Sequence, residues 1–384
     1  MGLKPMRKNN LVRGWIWVLA CLIAGLAGCK KSQEPATAMD RAFYMGMTPW
    51  PADFTPQGLG DAYGFINALC DIVSHHFDEG IPYEEAYRGL PMPAKLQGNI
   101  QYRQNSTATG KTILLSVAPL DISRHHKAGY TTDTDTHNDS IEAHWTQLPA
   151  NDPAVITAYV NFISYLVDAL HPAFVNYGVE SNAAPGWDPA EFLQYKDFLA
   201  QVYPRLKAKY PSIPFFLSLI VSELPEATDK ARQLLDYTDL IGLSAYPYTN
   251  ASSTAGGSTD PALLPAEYFT RFIDLAPGKR WGFAETGYIA RDLVIPSYQL
   301  NKQGTEGWQR DYFEKICRLS NERKGSFIIW FCHQDYDAAA AKLRAAGLYS
   351  DLFGIWEHIG LTDSAGHQRP AYQSWLDWMN KKRG

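Results

Sequence analysis

The chain has 384 residues, with 35 Lys and Arg against 40 Asp and Glu, and this net charge of −5 argues against a nucleic-acid-binding protein. Charged residues make up 20% of the chain and hydrophobic residues 46%, as in a folded globular protein, so disorder and a coiled coil are excluded as descriptions of the whole. The length is sufficient for one large domain or two ordinary ones.

The first 28 residues have the layout of a secretory signal. Four basic residues within positions 4–13 precede an apolar run over 14–28. This run is too short for a comfortable membrane span, which needs about 20 residues. Positions 1–28 therefore predict export of the chain and not anchoring by a transmembrane helix.

The apolar run ends in Leu-Ala-Gly-Cys at positions 26–29, which resembles the lipobox of bacterial lipoproteins. The resemblance implies cleavage before Cys29, lipid modification of that residue, and anchoring of the protein to the cell envelope. Lys30 replaces the Asp that often signals inner-membrane retention, so the outer membrane is expected if the organism is Gram-negative. An ordinary signal peptide with an incidental Cys is the alternative. Residues 29–40 are polar and aperiodic, as a tether should be.

Beyond residue 40 the chain alternates short apolar runs with longer amphipathic segments. Near-continuous apolarity over about six residues is typical of strands buried on both faces, as in a parallel sheet covered by helices. Eight such runs lie at 42–47, 71–77, 112–120, 174–180, 215–221, 240–246, 280–285 and 326–332.

Helix signals occupy the segments between these runs. Asp152-Pro153 and Asp188-Pro189 each provide an N-cap followed by a proline at the first helical position. Eight strands, each followed by a helix, predict a single (β/α)₈ TIM barrel over 41–384. Helices are expected at 59–69, about 93–104, 155–170, from 189 onward, and at 225–237, 265–275, 305–323 and 370–381.

Two connections, 121–151 and 247–264, are too long for ordinary turns, and both follow strands. In a TIM barrel such connections lie on the C-terminal face, where active sites are found. We therefore expect them to wall a cleft.

No metal site or disulfide framework is expected. The polar stretch 131–139 has the Asp spacing of a calcium loop but lacks the glycine and terminal glutamate of an EF-hand, so a solvated loop is favoured. The adjacent histidines at 75–76 and 125–126 would point to opposite faces of a strand and cannot chelate one ion together. After the signal is removed and Cys29 is acylated, Cys70, Cys317 and Cys332 remain. They are interpreted as buried apolar residues, although one disulfide among them is an alternative.

Two glutamates end predicted strands four and seven. Hydrolysis of a glycosidic bond requires a proton donor for the leaving oxygen and a second carboxylate across the sugar. Glu180 and Glu285 would both project from the C-terminal rim of the barrel toward a shared cleft. The aromatic fraction of 13% is compatible with sugar stacking and also with plain core filling.

The motifs GVESN (178–182), SAYP (244–247) and FAETGY (283–288) resemble the superfamily of retaining (β/α)₈ glycoside hydrolases, and most closely its endo-β-1,4-galactanase family. The resemblance implies that Glu180 is the general acid/base and Glu285 the nucleophile. It also implies that Trp330 forms a platform beneath the sugar and that Tyr246 and Tyr288 line the same subsite, with Tyr246 near the nucleophile. The implied partner is a polysaccharide or oligosaccharide, and no cofactor is implied.

Two departures from this superfamily affect the predicted site. Its members usually have Asn before the acid/base, where the amide holds the sugar 2-hydroxyl, whereas this chain has Val179; Asn182 or Asn176 could supply that contact. The second strand also lacks the arginine common in these enzymes, and His76 or Asp78 could occupy that layer.

Two other classes of protein compete with the hydrolase. One is a glycan-binding lipoprotein that has kept the cleft but has little or no catalytic activity. The other is a two-lobed solute-binding lipoprotein, which requires a different strand order and a hinge.

Overall fold

The computed structural model describes residues 40–133, 139–183 and 186–384. Within them, eight parallel strands close into a barrel in which each strand pairs with its neighbours along the chain. The strands are β1 Tyr44–Met47, β2 Ile72–Phe77, β3 Thr112–Val117, β4 Phe174–Gly178, β5 Phe215–Ile220, β6 Leu240–Ala245, β7 Arg280–Thr286 and β8 Phe327–Trp330. All eight predicted strands and the TIM-barrel fold are confirmed. The signal, lipobox and most of the tether lie outside the described residues.

Helices cover the outside of the barrel. They are α1 Pro56–Leu69, α2 Tyr83–Arg88, α3 Ala94–Ser106, α4 Asp139–Gln147, α5 Pro153–Leu170, α6 Pro189–Lys209, α7 Pro225–Leu234, α8 Pro247–Asn250, α9 Thr270–Ile273, α10 Glu306–Glu322, α11 Asp337–Ala345 and α12 Pro370–Met379. Short 3₁₀ turns lie at Leu235–Tyr237, Ser252–Thr254, Pro261–Leu263, Pro296–Tyr298 and Asp351–Trp356. A small antiparallel hairpin pairs Leu293–Ile295 with Leu300–Lys302.

The predicted helix starts are confirmed by their caps. The Asp152 side chain accepts a hydrogen bond from the Ala154 N–H at the start of α5, and Asp188 does the same for α6. Each cap satisfies a backbone donor that the first helical turn would otherwise leave without a partner. Among the described helices, α5 is long and apolar enough to cross a membrane, but 56% of it is buried inside the structure, as expected of a core helix.

The segment predicted as a helix over 265–275 contracts to the single turn of α9. Tyr268, Phe269, Phe272 and Ile273 are all buried there. An amphipathic helix buries one stripe and exposes the other. The four buried positions lie within such a stripe, but the Tyr268 N–H bonds the Pro265 carbonyl and the Phe272 N–H bonds the Phe269 carbonyl, three residues back. These tighter turns interrupt the α pattern, so the regular helix is short.

The barrel interior is filled by apolar side chains from seven of its strands, β2 to β8. These residues are Ile72, Leu114, Phe174, Phe216, Leu240, Ala284, Phe327 and Ile329. The interior is therefore a packed core on which residues at the C-terminal rim rest.

Two minor predictions can be compared with the described residues. Cys70, Cys317 and Cys332 are free and buried, as expected of small apolar side chains. Asp133, from the stretch considered as a calcium loop, accepts hydrogen bonds from the backbone N–H groups of Ala94 and Lys95 at the start of α3. Positions 134–138 of that stretch lie outside the described residues.

A buried ion pair fixes the long segment that follows β8. Both nitrogens Nη1 and Nη2 of Arg369 donate to Asp335, at 2.7 and 2.5 Å, and Nη1 also donates to the Gly360 carbonyl. The Asp335 carboxylate in turn accepts from the Gly360 N–H. Because Arg369 and Asp335 are both shielded from water, each depends on the other to offset its desolvation.

We expect Asp335→Ala to lower the free energy of unfolding by about 3 to 5 kcal/mol, because it leaves the Arg369 guanidinium buried and unpaired. Asp337→Ala is the matched control, since it removes a carboxylate that is partly exposed and pairs with the exposed Arg291. That control should lose less than about 1 kcal/mol. Urea unfolding measures both values, and equal losses would contradict this account of the pair.

Candidate active site

A cavity of about 570 Å³ opens where the barrel strands end. Glu180 and Glu285 both line it, as do residues 122–125 and 249–250 from the two long connections. The cleft therefore lies on the C-terminal face and is walled by the loops predicted for this purpose.

Glu180 lies two residues beyond the end of β4 and has a left-handed backbone, with φ of 54°. Such a conformation is strained in a residue other than glycine and costs about 1 to 3 kcal/mol. It is held by Ser218 on β5, whose hydroxyl accepts a hydrogen bond from the Glu180 N–H at 2.9 Å. Asn176 holds that serine in turn, by donating to its Oγ and accepting from its N–H. The barrel thus aims Glu180 into the cleft through its backbone.

The Glu180 carboxylate accepts a hydrogen bond at each oxygen. Arg124 Nε donates to Oε2 at 2.9 Å, and Ser244 Oγ donates to Oε1 at 2.7 Å. Although burial works against its charge, the pKa of Arg124 is raised by the neighbouring Glu180, so the guanidinium is a permanent cation. Arg124 also has a positive φ, of 61°, and its Nη1 donates to the Asp121 carbonyl. Both oxygens of Glu180 are therefore engaged by donors from neighbouring loops and strands.

Glu285, near the end of β7, forms no ion pair with an arginine among the residues that the structure describes. Withdrawal from water and then the Glu180 charge raise its pKa from 4.5 to about 7, against the opposing effects of His76, Tyr246 and Arg124. The Tyr246 hydroxyl donates to Oε1 of Glu285 at 2.7 Å, which confirms that this tyrosine contacts the predicted nucleophile. Burial and the Glu285 charge hold the pKa of Tyr246 well above its ordinary value, so this tyrosine remains a donor.

His76 also lies in the cleft, at the end of β2. Its Nε2 is 3.5 Å from Oδ2 of Asp78, and both residues line the cavity. Desolvation would raise the pKa of Asp78. The hydrogen bond and charge of His76 and the charge of Arg124 outweigh this effect, so the pKa lies below its ordinary value. The second strand therefore contributes an imidazole and a carboxylate where the superfamily commonly has an arginine.

The structure does not place Trp330 in the cleft, so the prediction that it forms the sugar platform is wrong. Its indole is fully buried, donates through Nε1 to the Ile359 carbonyl at 2.9 Å, and packs edge-to-face on Phe313 of α10. Side chains alternate across a strand. The next residue, Phe331, is the one that lines the cavity.

Tyr288 and Asn182 are also structural residues and not cleft residues. Tyr288 is buried, donates its hydroxyl to the Thr259 carbonyl and stacks on Tyr312 with ring centroids 4.3 Å apart. The Asn182 amide donates to the carbonyls of Ile220 and Ala227, and its oxygen accepts from the Ile220 N–H. Both predictions of substrate contact are therefore corrected.

Val179 is buried, and no asparagine considered as its substitute reaches the cleft. The Asn182 amide donates a hydrogen bond to the Ile220 carbonyl at the end of β5, and the Asn176 amide donates to the Ser218 hydroxyl. The amide contact to a sugar 2-hydroxyl that the superfamily uses is thus not supplied by either residue.

Sequence reasoning missed Arg124 and Ser244 as partners of Glu180. Ser244 was part of the quoted SAYP motif, and Arg124 lies in the long connection expected to wall the cleft, so a weak signal existed for each. Strand alternation would have placed the Ser244 side chain on the same side as Tyr246, two residues on, whereas Arg124 lies in an aperiodic loop that does not show which way its side chain points.

One group of described residues has the spacing of metal ligands, namely Asp335, Asp337 and His358. Two guanidinium groups already occupy it, because Arg369 donates to Asp335 and Arg291 donates to Asp337 and contacts Asp335. These positive charges oppose binding of a cation, so the group is an ion-pair network and not a metal site.

No family model and no curated protein sequence matches the chain. Its fold is similar to that of the exo-β-1,4-mannosidase Op5Man5 from Opitutaceae bacterium strain TAV5, with a TM-score of 0.58 and 14% identity over 88% of this chain and 59% of that one. It is also similar to a GH5_18 from Bifidobacterium longum subsp. infantis, with a TM-score of 0.59 and 16% identity over 90% and 80% of the two chains. The fold is also similar to that of the Ignisphaera aggregans GH53 catalytic domain, with a TM-score of 0.53 and 17% identity over 91% of this chain and 98% of that one.

At these identities the likeness shows a shared fold. The chain has the (β/α)₈ barrel of these glycoside hydrolases, and it spans 59% of the length of the mannosidase chain. What the chain does must be inferred from its own cleft.

The raised pKa of Glu285 has a consequence for stability. At a pH below the ordinary carboxyl pKa of 4.5, Glu285 is protonated in both the folded and the unfolded chain, and its contribution to the free energy of unfolding is fully present. As the pH rises toward about 7, the unfolded chain ionises first, so the folded state loses about 3 kcal/mol of stability. We expect Glu285→Gln, which remains neutral, not to show this loss. Urea unfolding of both chains across this pH range measures the difference, and parallel curves would contradict the raised pKa.

Proposed function

We propose that the protein is a retaining glycoside hydrolase that cleaves an oligosaccharide or polysaccharide by double displacement. The observation that carries the proposal is the presence of two carboxyl groups in one cleft, from the ends of β4 and β7, in opposite electrostatic surroundings. Glu180 is the acid/base and Glu285 is the nucleophile. A β-galactan is the substrate suggested by the resemblance of the GVESN and FAETGY motifs.

In the first step a Glu285 oxygen bonds to the anomeric carbon while the bond to the leaving oxygen breaks. The proton held by Glu180 passes to that oxygen. In the second step water attacks the anomeric carbon, Glu180 takes a proton from the water, and the sugar–Glu285 ester bond breaks. Tyr246 holds the Glu285 oxygen in place through its 2.7 Å hydrogen bond.

This mechanism requires the proton to move when substrate binds. Arg124 and Ser244 donate to both Glu180 oxygens, and the pKa of Glu285, raised to about 7, leaves about half of the Glu285 carboxyls protonated at neutral pH. The positive charge that develops at the anomeric carbon favours an ionised Glu285. The Ser244 hydroxyl can rotate to accept a hydrogen bond from a protonated Glu180. We propose that sugar binding thereby transfers the proton from Glu285 to Glu180.

Glycan binding with little or no turnover is the second candidate function. It is favoured by the apolar Val179 and by the Arg124 pairing, which opposes protonation of Glu180. A panel of polysaccharides and oligosaccharides, assayed for release of reducing ends, separates the two. A hydrolase releases them, whereas a binding protein retains the glycan intact.

We expect Glu285→Ala to lower turnover roughly 10⁴-fold or more, because the nucleophile is lost. Added azide should restore a product of inverted anomeric configuration. Glu180→Ala should spare the first step for substrates with good leaving groups, and azide should then give the retained product. NMR of the initial product determines the configuration.

Glu226→Ala is the control, because it removes a carboxylate from α7 outside the cleft and should leave turnover unchanged. Full activity in the Glu285 and Glu180 variants would refute both roles.

We also propose that the mature protein begins at Cys29 and is tethered to the cell envelope by lipid on that residue. The support is the Leu-Ala-Gly-Cys sequence at the end of the apolar run and the polar segment 29–40. An amide-linked chain added to a diacylglycerol anchors stably, whereas one chain alone would not. Cys29→Ser should leave the protein unprocessed or release it to the aqueous fraction, as judged by fractionation and mass spectrometry. Unchanged membrane partition of the variant would contradict the tether.

A further inference from the structure

The cleft has a polar half and an apolar half, which come from different loops. The polar half follows β2, β3, β4, β6 and β7 and carries every charged group among the described lining residues. Its polar members are His76, Asp78, Ser123, Arg124, His125, Glu180, Ser244, Tyr246, Thr249, Asn250 and Glu285.

The apolar half, here called the apolar wall, comes from the loops after β1 and β8. None of its nine described residues is charged, and six have no polar side-chain atom. The wall consists of Trp50, Pro51, Phe54, Phe331, Tyr336, Leu352, Phe353, Ile355 and Trp356.

The wall is a continuous aromatic surface that reaches the catalytic carboxylates. Phe331 stacks between Trp50 and Trp356, with ring centroids 6.2 and 5.7 Å away. Phe331 also meets the ring of Tyr246 edge-on, and Tyr246 hydrogen-bonds Glu285. A group resting on the wall can therefore belong to the same molecule as a sugar that meets the carboxylates.

The chemistry of the wall suits hydrocarbon better than sugar. A sugar ring carries hydroxyls around its edge, and burying any of them without a hydrogen-bond partner is unfavourable. The nine described residues of the wall offer three polar atoms, the Tyr336 hydroxyl and the indole N–H groups of Trp50 and Trp356. The Tyr336 hydroxyl and the Trp356 N–H are shielded from solvent, which leaves the Trp50 N–H as the donor that a sugar hydroxyl could meet. The hydrocarbon part of an alkyl, acyl or aryl group needs no hydrogen-bond partner, and each methylene that is removed from water makes binding more favourable.

Phe54 supplies a second, independent observation. Its side chain is 49% exposed at the rim of the cleft, although its backbone lies in the left-handed region with φ of 51°. A bulky residue in this conformation is a genuine outlier, and such strain clusters at ligand clamps. The Asp53 carboxylate accepts from the Thr55 N–H, which holds the turn that presents the ring.

We propose that the substrate is an amphiphilic glycoside, whose sugar meets the carboxylates in the polar half while an apolar group covalently attached to it lies on the apolar wall. This inference rests on the proposed hydrolase function and narrows its substrate class. The reaction hydrolyses the bond at the sugar and leaves the apolar group chemically unchanged.

The test compares methyl and octyl β-glycosides of glucose, galactose, mannose and xylose, each below its micelle concentration. Methanol and octanol are leaving groups of similar basicity, so the chemical step is matched and the alkyl chain is the variable. We expect kcat/KM to be about 10-fold or more higher for the octyl glycoside of the accepted sugar, because its methylenes are removed from water on the wall. Equal values would overturn the inference.

Two variants locate the alkyl contact. Phe54→Ser removes an exposed apolar side chain from the wall, and Ile122→Ser, the matched control, removes one that is 65% exposed in the loop after β3. The octyl preference should fall several-fold in Phe54→Ser and persist in Ile122→Ser. The reverse pattern would place the alkyl group on the other side of the cleft and overturn the inference.

Activated 2,4-dinitrophenyl glycosides separate this inference from the proposed function. If they are hydrolysed without any octyl preference in the alkyl pair, the amphiphile inference fails and the hydrolase proposal stands. If no glycoside is hydrolysed, the hydrolase proposal fails. Calorimetric binding of the octyl and methyl glycosides then decides the inference, because the wall should still favour the octyl compound.

Discussion

Two carboxyl groups line the cleft, and within the part of the chain that the structure describes only Glu180 has an arginine bonded to it. Arg124 stabilises the Glu180 anion, while Glu285 keeps a proton up to about neutral pH because it is withdrawn from water and faces the Glu180 charge. The two groups therefore respond as a coupled pair holding one proton. In the proposed mechanism this proton must pass from Glu285 to Glu180 before the sugar bond breaks.

The barrel holds this arrangement although the backbone at two of its residues is strained. Glu180 and Arg124 both have positive φ angles, and the Asn176–Ser218 pair beneath them fixes the Glu180 backbone. Side chains set on strand ends are held more precisely than side chains on free loops. The segment after β8 is fixed by the buried Arg369–Asp335 pair. That segment forms most of the apolar wall, so the ion pair also holds the surface on which the proposed apolar group would lie.

The sequence predicted what depends on repeated patterns and missed what depends on single residues. All eight strands were found because buried parallel strands are continuously apolar, and Glu180 and Glu285 were found because each ends such a strand. Trp330 was misplaced by one position, since adjacent residues face opposite sides and Phe331 takes the cleft. Tyr288 and Asn182 lie near the motifs but turn into the core. Arg124 could not be assigned, because nothing in an aperiodic loop indicates that its guanidinium turns back onto a strand 56 positions away.

The central claim is that Glu285 forms a covalent bond to the sugar while Glu180 moves the proton. The most direct measurement is mass spectrometry of the protein after incubation with 2-deoxy-2-fluoro glycosides that carry a dinitrophenyl leaving group, which slow the second step more than the first. The account expects one sugar ester per chain, on the peptide that contains Glu285, and its absence in Glu285→Gln. A sugar attached to Glu180, or turnover with inversion and no adduct at all, would contradict it.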